Sequence, residues 1–203
     1  MKAGKPIIGL AGGIGSGKTT VGAILGDLGA AVIASDRLNH EELDAPEVLE
    51  CLHRWWGDEV IKPDGRADRD AIRKLVAGDS VARKRLERLI HPRITRRRQA
   101  LMRKYLADPS IPAIVWDSPL LFEAGLVDQC HHVIFVEADA PVRRERVSRD
   151  RGWTAEDFEK LEKAQAPLDM KRSKADYKVV NNSDRDDLRR QVDDVFSRIL
   201  SGN

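Results

Sequence analysis

The sequence predicts an α/β protein built on a parallel, doubly wound sheet. Three features point there: short runs that are apolar throughout, helical stretches between them, and a glycine-rich loop after the first run. Continuous rather than alternating apolar runs suit strands covered on both faces. Strands separated by helices make βα units, and right-handed crossovers wind such units into one sheet. Five strands are expected, at residues 6–11, 31–34, 113–116 and 133–136, with a weaker fifth at 177–180.

The spacing of the strands is uneven. Roughly eighty residues between the second and third runs carry no convincing strand, which is too long for a crossover helix. Helical patterns fill them at 46–56, 68–77 and 80–90, and Pro92 suits the first turn of a further helix ending near Leu106. Residues 37–107 therefore read as a helical insertion within a single domain, 1–203. A second excursion, 140–174, is Arg-rich at its start. Residues 184–200 form a closing amphipathic helix with Leu188, Val192, Val195, Phe196 and Ile199 inward. There is no internal repeat and no low-complexity tract.

The central motif is Gly12-Gly13-Ile14-Gly15-Ser16-Gly17-Lys18-Thr19, followed by Thr20. It fits G-x-x-x-x-G-K-[ST], with a strand before it and a helical pattern after it, the context of a nucleotide phosphate loop. Glycines at 13, 15 and 17 let the backbone turn with its N–H groups inward as an anion nest around Ile14 and Ser16. The helix start adds unpaired N–H groups and the positive end of its dipole. Lys18 would reach the β- and γ-phosphates, and Thr19 would place a hydroxyl on Mg²⁺. A dinucleotide site needs a third glycine five residues after the first, and neither Gly13-x-Gly15 nor Gly15-x-Gly17 has one.

GTPases share this loop but sense the γ-phosphate with D-x-x-G, and no Asp here is followed by Gly three residues later. Asn181-Asn182-Ser183-Asp184 lacks the Lys of a guanine-reading N-K-x-D. An ATP-using kinase of a small metabolite suits the size better. In detail the chain resembles the dephospho-CoA kinase family. The loop from Gly9 to Thr20 is close to the family's. Leu28-Gly29-Ala30-Ala31-Val32-Ile33 leads to Asp36, where the family has Asp-Ala-Asp. Ile90-His91-Pro92-Arg93-Ile94 is similar to its His-Pro segment, and Asp117-Ser118-Pro119-Leu120-Leu121-Phe122-Glu123 to its Pro-Leu-Leu-Phe-Glu stretch. Arg146, Gln165, Lys171-Arg172, Ala175-Asp176-Tyr177 and Asn181 follow in the family's order. Departures are Ala34 and Ser35 before Asp36, Asn181-Asn182-Ser183 in place of Asn-x-Gly, and two candidates, Arg149 and Arg151, for a second lid position.

The resemblance implies a three-layer P-loop nucleotide-kinase fold with a parallel five-stranded sheet, an acceptor-binding helical insertion and a lid over 140–174. It implies transfer from ATP, with Mg²⁺, to the 3′-hydroxyl of dephospho-CoA, the last step of coenzyme A synthesis. It selects Asp36 as catalytic: the carboxylate either takes or orients the hydroxyl proton or joins the Mg²⁺ shell, and otherwise caps a helix starting at Arg37. Asp117, closing a strand, is either a Walker-B carboxylate for Mg²⁺ or a turn residue before Pro119. Pro119 to Glu123 shapes the acceptor pocket or belongs to the core. Arg146 is expected to neutralise charge on the moving phosphoryl group, with its arginine neighbours on a solvated helix face. The basic run 93–98, with Arg103 and Lys104, meets the acceptor's diphosphate or is likewise a solvated face. His91 caps the helix opened by Pro92 or touches substrate. Trp55 and Trp56 pack the insertion, or one of them lines the acceptor pocket.

Composition narrows the partners. Thirty-five basic against 33 acidic residues leave a net charge of +2, too balanced for bulk nucleic-acid binding. No aromatic platform interleaves the basic run, as a single-strand binder would need. No stretch is long and apolar enough for a secretory signal or a membrane span, so a cytoplasmic address is expected. Cys51 and Cys130 fit reduced thiols, and His131 and His132 have no ligand-spaced partner for a metal.

Overall fold

The computed structural model describes residues 4–182 and 184–202. Ser183, one of the departures noted above, lies outside the described residues. The chain folds as two compact units, Met1–Ala34 with Arg103–Asn203, and Ser35–Met102.

The first unit holds the sheet. Strands β1 (Ile7–Gly12), β2 (Ala31–Ala34), β3 (Ile114–Asp117), β4 (His132–Glu137) and β5 (Tyr177–Val180) are all parallel, in the order β2-β3-β1-β4-β5. All five expected strands form, within a residue of the expected ends. Central β1 is flanked by β3 and β4, both almost wholly buried, which is why their apolar runs do not alternate. Helices α1 (Lys18–Asp27) and α9 (Arg185–Ser201) cover one face. They interleave Val21, Ile24 and Leu25 with Leu188, Val192 and Phe196 over Ile8, Leu10, Ile134 and Val136. Each such side chain, fully buried, contributes about 1.5–3 kcal/mol. All five residues expected inward on α9 are buried, and Asp184 caps it, Oδ1 accepting from Asp187 N at 2.8 Å.

On the other side of β1, Leu121 and Cys130 press against Gly9, where an added Cβ would lie 2.8 Å and 2.9 Å from their side chains. Leu121 is therefore core, whereas Leu120 is exposed. Three helices fill the excursion after β4: α6 (Ala140–Arg151), α7 (Ala155–Lys163) and α8 (Leu168–Ser173). Thr154 and Asp157 form a reciprocal capping box at the start of α7.

The second unit is helical: α2 (Ser35–Leu43), α3 (Pro46–Trp56), α4 (Arg69–Gly78) and most of α5 (Ser80–Ala107). It has its own core of Leu43, Val48, Leu52, Val60, Ile72 and Ile90, against which Trp55 and Trp56 pack, as expected. Asp68 caps α4 through the N–H groups of Asp70 and Ala71.

Two expectations fail here. Residues 80–90 and the segment opened by Pro92 are one continuous 28-residue helix, α5, with Pro92 inside it. Proline removes the N–H that would bond the Arg88 carbonyl, but Arg88 and Pro92 are both exposed, so water can satisfy it. Ile90 and Ile94, on either side of the proline, are held by the unit's core. His91 is consequently mid-helix and caps nothing. Nor is the basic run simply a solvated face. Arg93 pairs with Glu42 at 2.7 Å and Glu47 at 3.2 Å, and Arg97 pairs with Glu41 and Glu42, so α5 is stitched to α2 and α3. Burial pushes the Arg98 guanidinium below its ordinary value.

Candidate active site

Residues 13–17 join β1 to α1, and protein packs closely against the outside of this loop. Gly15 has φ +75° and Gly17 φ +91°, left-handed values that an L side chain adopts only with strain. Neighbouring atoms also crowd the places where side chains would stand. A Cβ on Gly17 would lie 2.1 Å from Asn181 Nδ2, one on Gly15 2.5 Å from the Arg143 carbonyl, and one on Gly13 2.6 Å from Arg143 Nη1.

Lys18 opens α1 and arches back over the loop, its Nζ donating to Gly12 O at 3.0 Å and Gly13 O at 2.9 Å. Thr19 and Thr20 are exposed on the first turn of α1, which carries no acidic residue. The positive end of the helix is thus uncompensated by its own turn, an arrangement that favours an anion. Ser16 Oγ is buried with no hydrogen-bond partner among the described residues. Ile14 is buried against Val147 of α6 and Phe158 of α7.

Asp117 is the last residue of β3 and is 7% exposed. It registers beside Leu10 of β1 and Ala34 of β2, at the carboxyl edge where sheets of this kind gather ligands. Its Oδ2 lies 3.8 Å from where a Cβ on Gly22 would sit, one turn into α1. A threonine hydroxyl and a buried carboxylate are hard oxygen donors that suit Mg²⁺, an ion that takes few protein ligands and completes its shell with phosphates and water. Among the described residues, no three or more His, Cys, Asp or Glu side chains gather into a metal site of their own.

Asp36 follows β2 by two residues and is exposed. The helix starts at Ser35, not Arg37, so Asp36 sits inside the first turn of α2 and is not its N-cap. That removes the capping role weighed against catalysis and leaves a smaller one, attraction to the helix dipole.

Arginines on α6 divide sharply. Arg146 is half-buried, donates from Nη2 to Asn181 Oδ1 at 3.4 Å, and keeps a buried Nη1 without a hydrogen-bond partner among the described residues. Arg149 is exposed and paired with Asp150, and Arg151 lies over the Trp153 ring. Arg144 is exposed, as expected for a solvated face. Arg143 is not: at 5% exposure it donates to Ala138 O (3.1 Å) and Ile14 O (3.3 Å) and pairs with Glu162 of α7. Its burial follows from its place four residues before buried Val147, on the inward face of α6. That spacing was the one signal in the sequence, and the surrounding arginines masked it.

Glu123 and Lys171 were also not assigned to each other by sequence. Lys171 is 2% exposed; its Nζ meets Glu123 Oε1 at 3.0 Å and Gln165 Oε1 at 3.2 Å. Glu123 Oε1 accepts from Ala166 N as well, at 2.7 Å. Burial pushes the Glu123 carboxyl up, but the N–H groups of Ala166 and of Glu123 itself, with the Lys171 ammonium, outweigh it and hold the group below its ordinary value. The turn after β3 is thereby bolted to the α7–α8 junction. Burial likewise pushes the Cys130 thiol up to about 11, so it is protonated and inert.

The comparisons with known proteins agree with this geometry. Residues 6–187 match the family described as dephospho-CoA kinase. The dephospho-CoA kinase of Symbiobacterium thermophilum is 36% identical over 197 residues, covering 97% of this chain and 82% of its own. A Thermus thermophilus protein of known crystal structure superposes with a TM-score of 0.77 at 33% identity, covering 97% of this chain and 99% of its own. A dephospho-CoA kinase from Campylobacter jejuni does so with a TM-score of 0.70 at 25% identity, covering 97% and 98%. With a phosphate loop on a 2-3-1-4-5 parallel sheet and relatives matched over most of their length, the chain belongs to the dephospho-CoA kinase family.

Proposed function

We propose that this protein transfers the γ-phosphoryl group of ATP to the 3′-hydroxyl of dephospho-CoA, giving coenzyme A and ADP. The observation that carries the reading is the match to dephospho-CoA kinases over residues 6–187, which includes the intact Lys18-Thr19 pair of the loop. The loop amides and the head of α1 hold the phosphates, and Lys18 exchanges its two carbonyl partners for phosphate oxygens. Thr19 and Asp117 would hold Mg²⁺, which would supply positive charge to offset that of the phosphates. Asp36 orients the acceptor hydroxyl or takes its proton as the new O–P bond forms. Arg146, with an unspent buried N–H, stabilises charge on the moving group. Residues 37–107 serve acceptor binding and 140–174 serve as the lid. Dependence on ATP suits a cytoplasmic protein, and no described helix is long and apolar enough to cross a membrane.

A coupled assay with ATP, Mg²⁺ and dephospho-CoA tests the reading, with Lys18→Ala as its control. Turnover is expected with dephospho-CoA, none with other small alcohols, and a fall of several orders of magnitude in a folded Lys18→Ala variant. Turnover of a different metabolite, or ATP binding without any turnover, would replace the reading.

A further inference from the structure

Two side chains from different elements hold alternate carbonyls of the phosphate loop. Arg143 Nη1, on α6, donates to Ile14 O at 3.3 Å. Asn181 Nδ2, just past β5, donates to Ser16 O at 2.8 Å. Both donors are buried, Arg143 at 5% and Asn181 at 7% exposure. Each is itself fixed from behind. Arg143 is held by Ala138 O and Glu162, and Asn181 by its own N–H on Glu137 O and by Arg146 on its Oδ1.

In a trans peptide the C=O of one residue and the N–H of the next share a plane and point in opposite directions. The described residues contain no cis peptide bond. A donor that holds Ile14 O on the outside of the loop therefore turns the Gly15 N–H away from itself, and one that holds Ser16 O does the same for the Gly17 N–H. We infer that Arg143 and Asn181 are positioning residues that aim the amides of Gly15 and Gly17 at the phosphate pocket before nucleotide arrives. The inference rests on the phosphate-binding role proposed above.

The collisions at glycine bear this out from the other side. The Cβ positions of Gly13 and Gly17 point at Arg143 Nη1 and Asn181 Nδ2. The loop lacks side chains there because the braces occupy their places. Charge is not what Arg143 supplies, because Glu162 cancels it at the same Nη1 atom. Its part is direction, which is what an oriented set of donors needs to act without reorganising when the anion binds.

The test is position-resolved. Backbone amide NMR of the whole protein with Mg²⁺-free ADP should show the Gly15 and Gly17 resonances moving on binding in the wild type. Arg143→Met, which keeps the stem and its packing, should lose most of the Gly15 response and keep that of Gly17. Asn181→Asp, which replaces the amide donor by oxygen, should do the reverse. ADP affinity should fall about tenfold in each, while adenosine, which has no phosphate, should bind both as it binds the wild type. Equal responses of the two amides in either variant, ADP affinity within twofold of wild type, or equal losses for ADP and adenosine would each overturn the inference. If one variant does not fold, the other decides. If neither folds, the pair supports the fold and not the donors, and the inference also fails. A wild type that binds no ADP would instead remove the phosphate-binding reading itself.

Discussion

At the scale of single residues, the proposed role of Asp36 can be separated from any part it has in the fold. It is exposed and lies in the first turn of α2. Replacing it by Asn keeps the shape and removes the charge. Losing a carboxylate at a helix N-terminus costs about 0.3–1 kcal/mol. A lost proton acceptor costs roughly 10²–10⁴ in kcat. Asp36→Asn is therefore expected to melt within a few degrees of wild type while kcat collapses and ATP affinity without acceptor changes little. Unchanged kcat would take Asp36 out of the reaction, and a selective loss of Mg²⁺-dependent ATP affinity would move it to the metal shell.

Among the elements, two of the ion pairs made by residues 140–174 differ in character. Arg143 with Glu162 reaches the loop, whereas Lys171 with Glu123 fastens the turn after β3 to the α7–α8 junction. A buried ammonium whose partner is removed typically costs roughly 3–5 kcal/mol, and Gln165, which still accepts from Lys171, puts Glu123→Gln at the lower end. The Glu123 carboxyl is held below its ordinary value, so its stabilisation is complete above the unfolded value, near 4.3, and is lost as pH falls through the folded one. The stability gap between wild type and Glu123→Gln, followed by denaturant melts, should be full at pH 7 and narrow below about pH 4.5. A gap that is constant with pH would mean that the carboxylate charge is not what holds the clamp. Helix α5 shows the opposite case, a local rule overridden. Pro92 disfavours a helix interior by about 3 kcal/mol, yet Ile90 and Ile94 on one core keep the helix whole.

At the scale of the molecule, the sheet and Ser35–Met102 each have a hydrophobic core of their own, beside a smaller cluster of Ile14, Val147 and Phe158. Separate cores imply separate cooperative units. Leu52, fully buried in the second core, is the probe: Leu52→Ala should cost about 2–5 kcal/mol through the cavity it leaves. Native-state hydrogen exchange should then show lost protection in α3, α4 and the first half of α5, with the amides of β1, β3 and β4 as slow as before. Equal loss in the sheet would show that the two cores melt as one.

The sequence by itself determined the strands, most of the helices and the phosphate loop. Each is written in local terms: a run of apolar residues, a helical period, glycines before Lys18-Thr19. It also put Asp36 and Asp117 at the ends of β2 and β3, because a strand's end fixes where the next residue emerges. What it left undecided depended on contacts between residues far apart in the chain. Pro92 looked like a helix start because its cost is local and the core that outweighs it is not. Arg143 looked solvated among five arginines because only α7 and the loop, folded against it, make it a buried donor. Asn181 lies 165 residues from the Ser16 carbonyl it holds, and the bond between them exists only because β5 joins the same sheet as β1. Local pattern sets which elements form; which polar groups meet is set by packing, and the orientation of the loop's amides depends on those meetings.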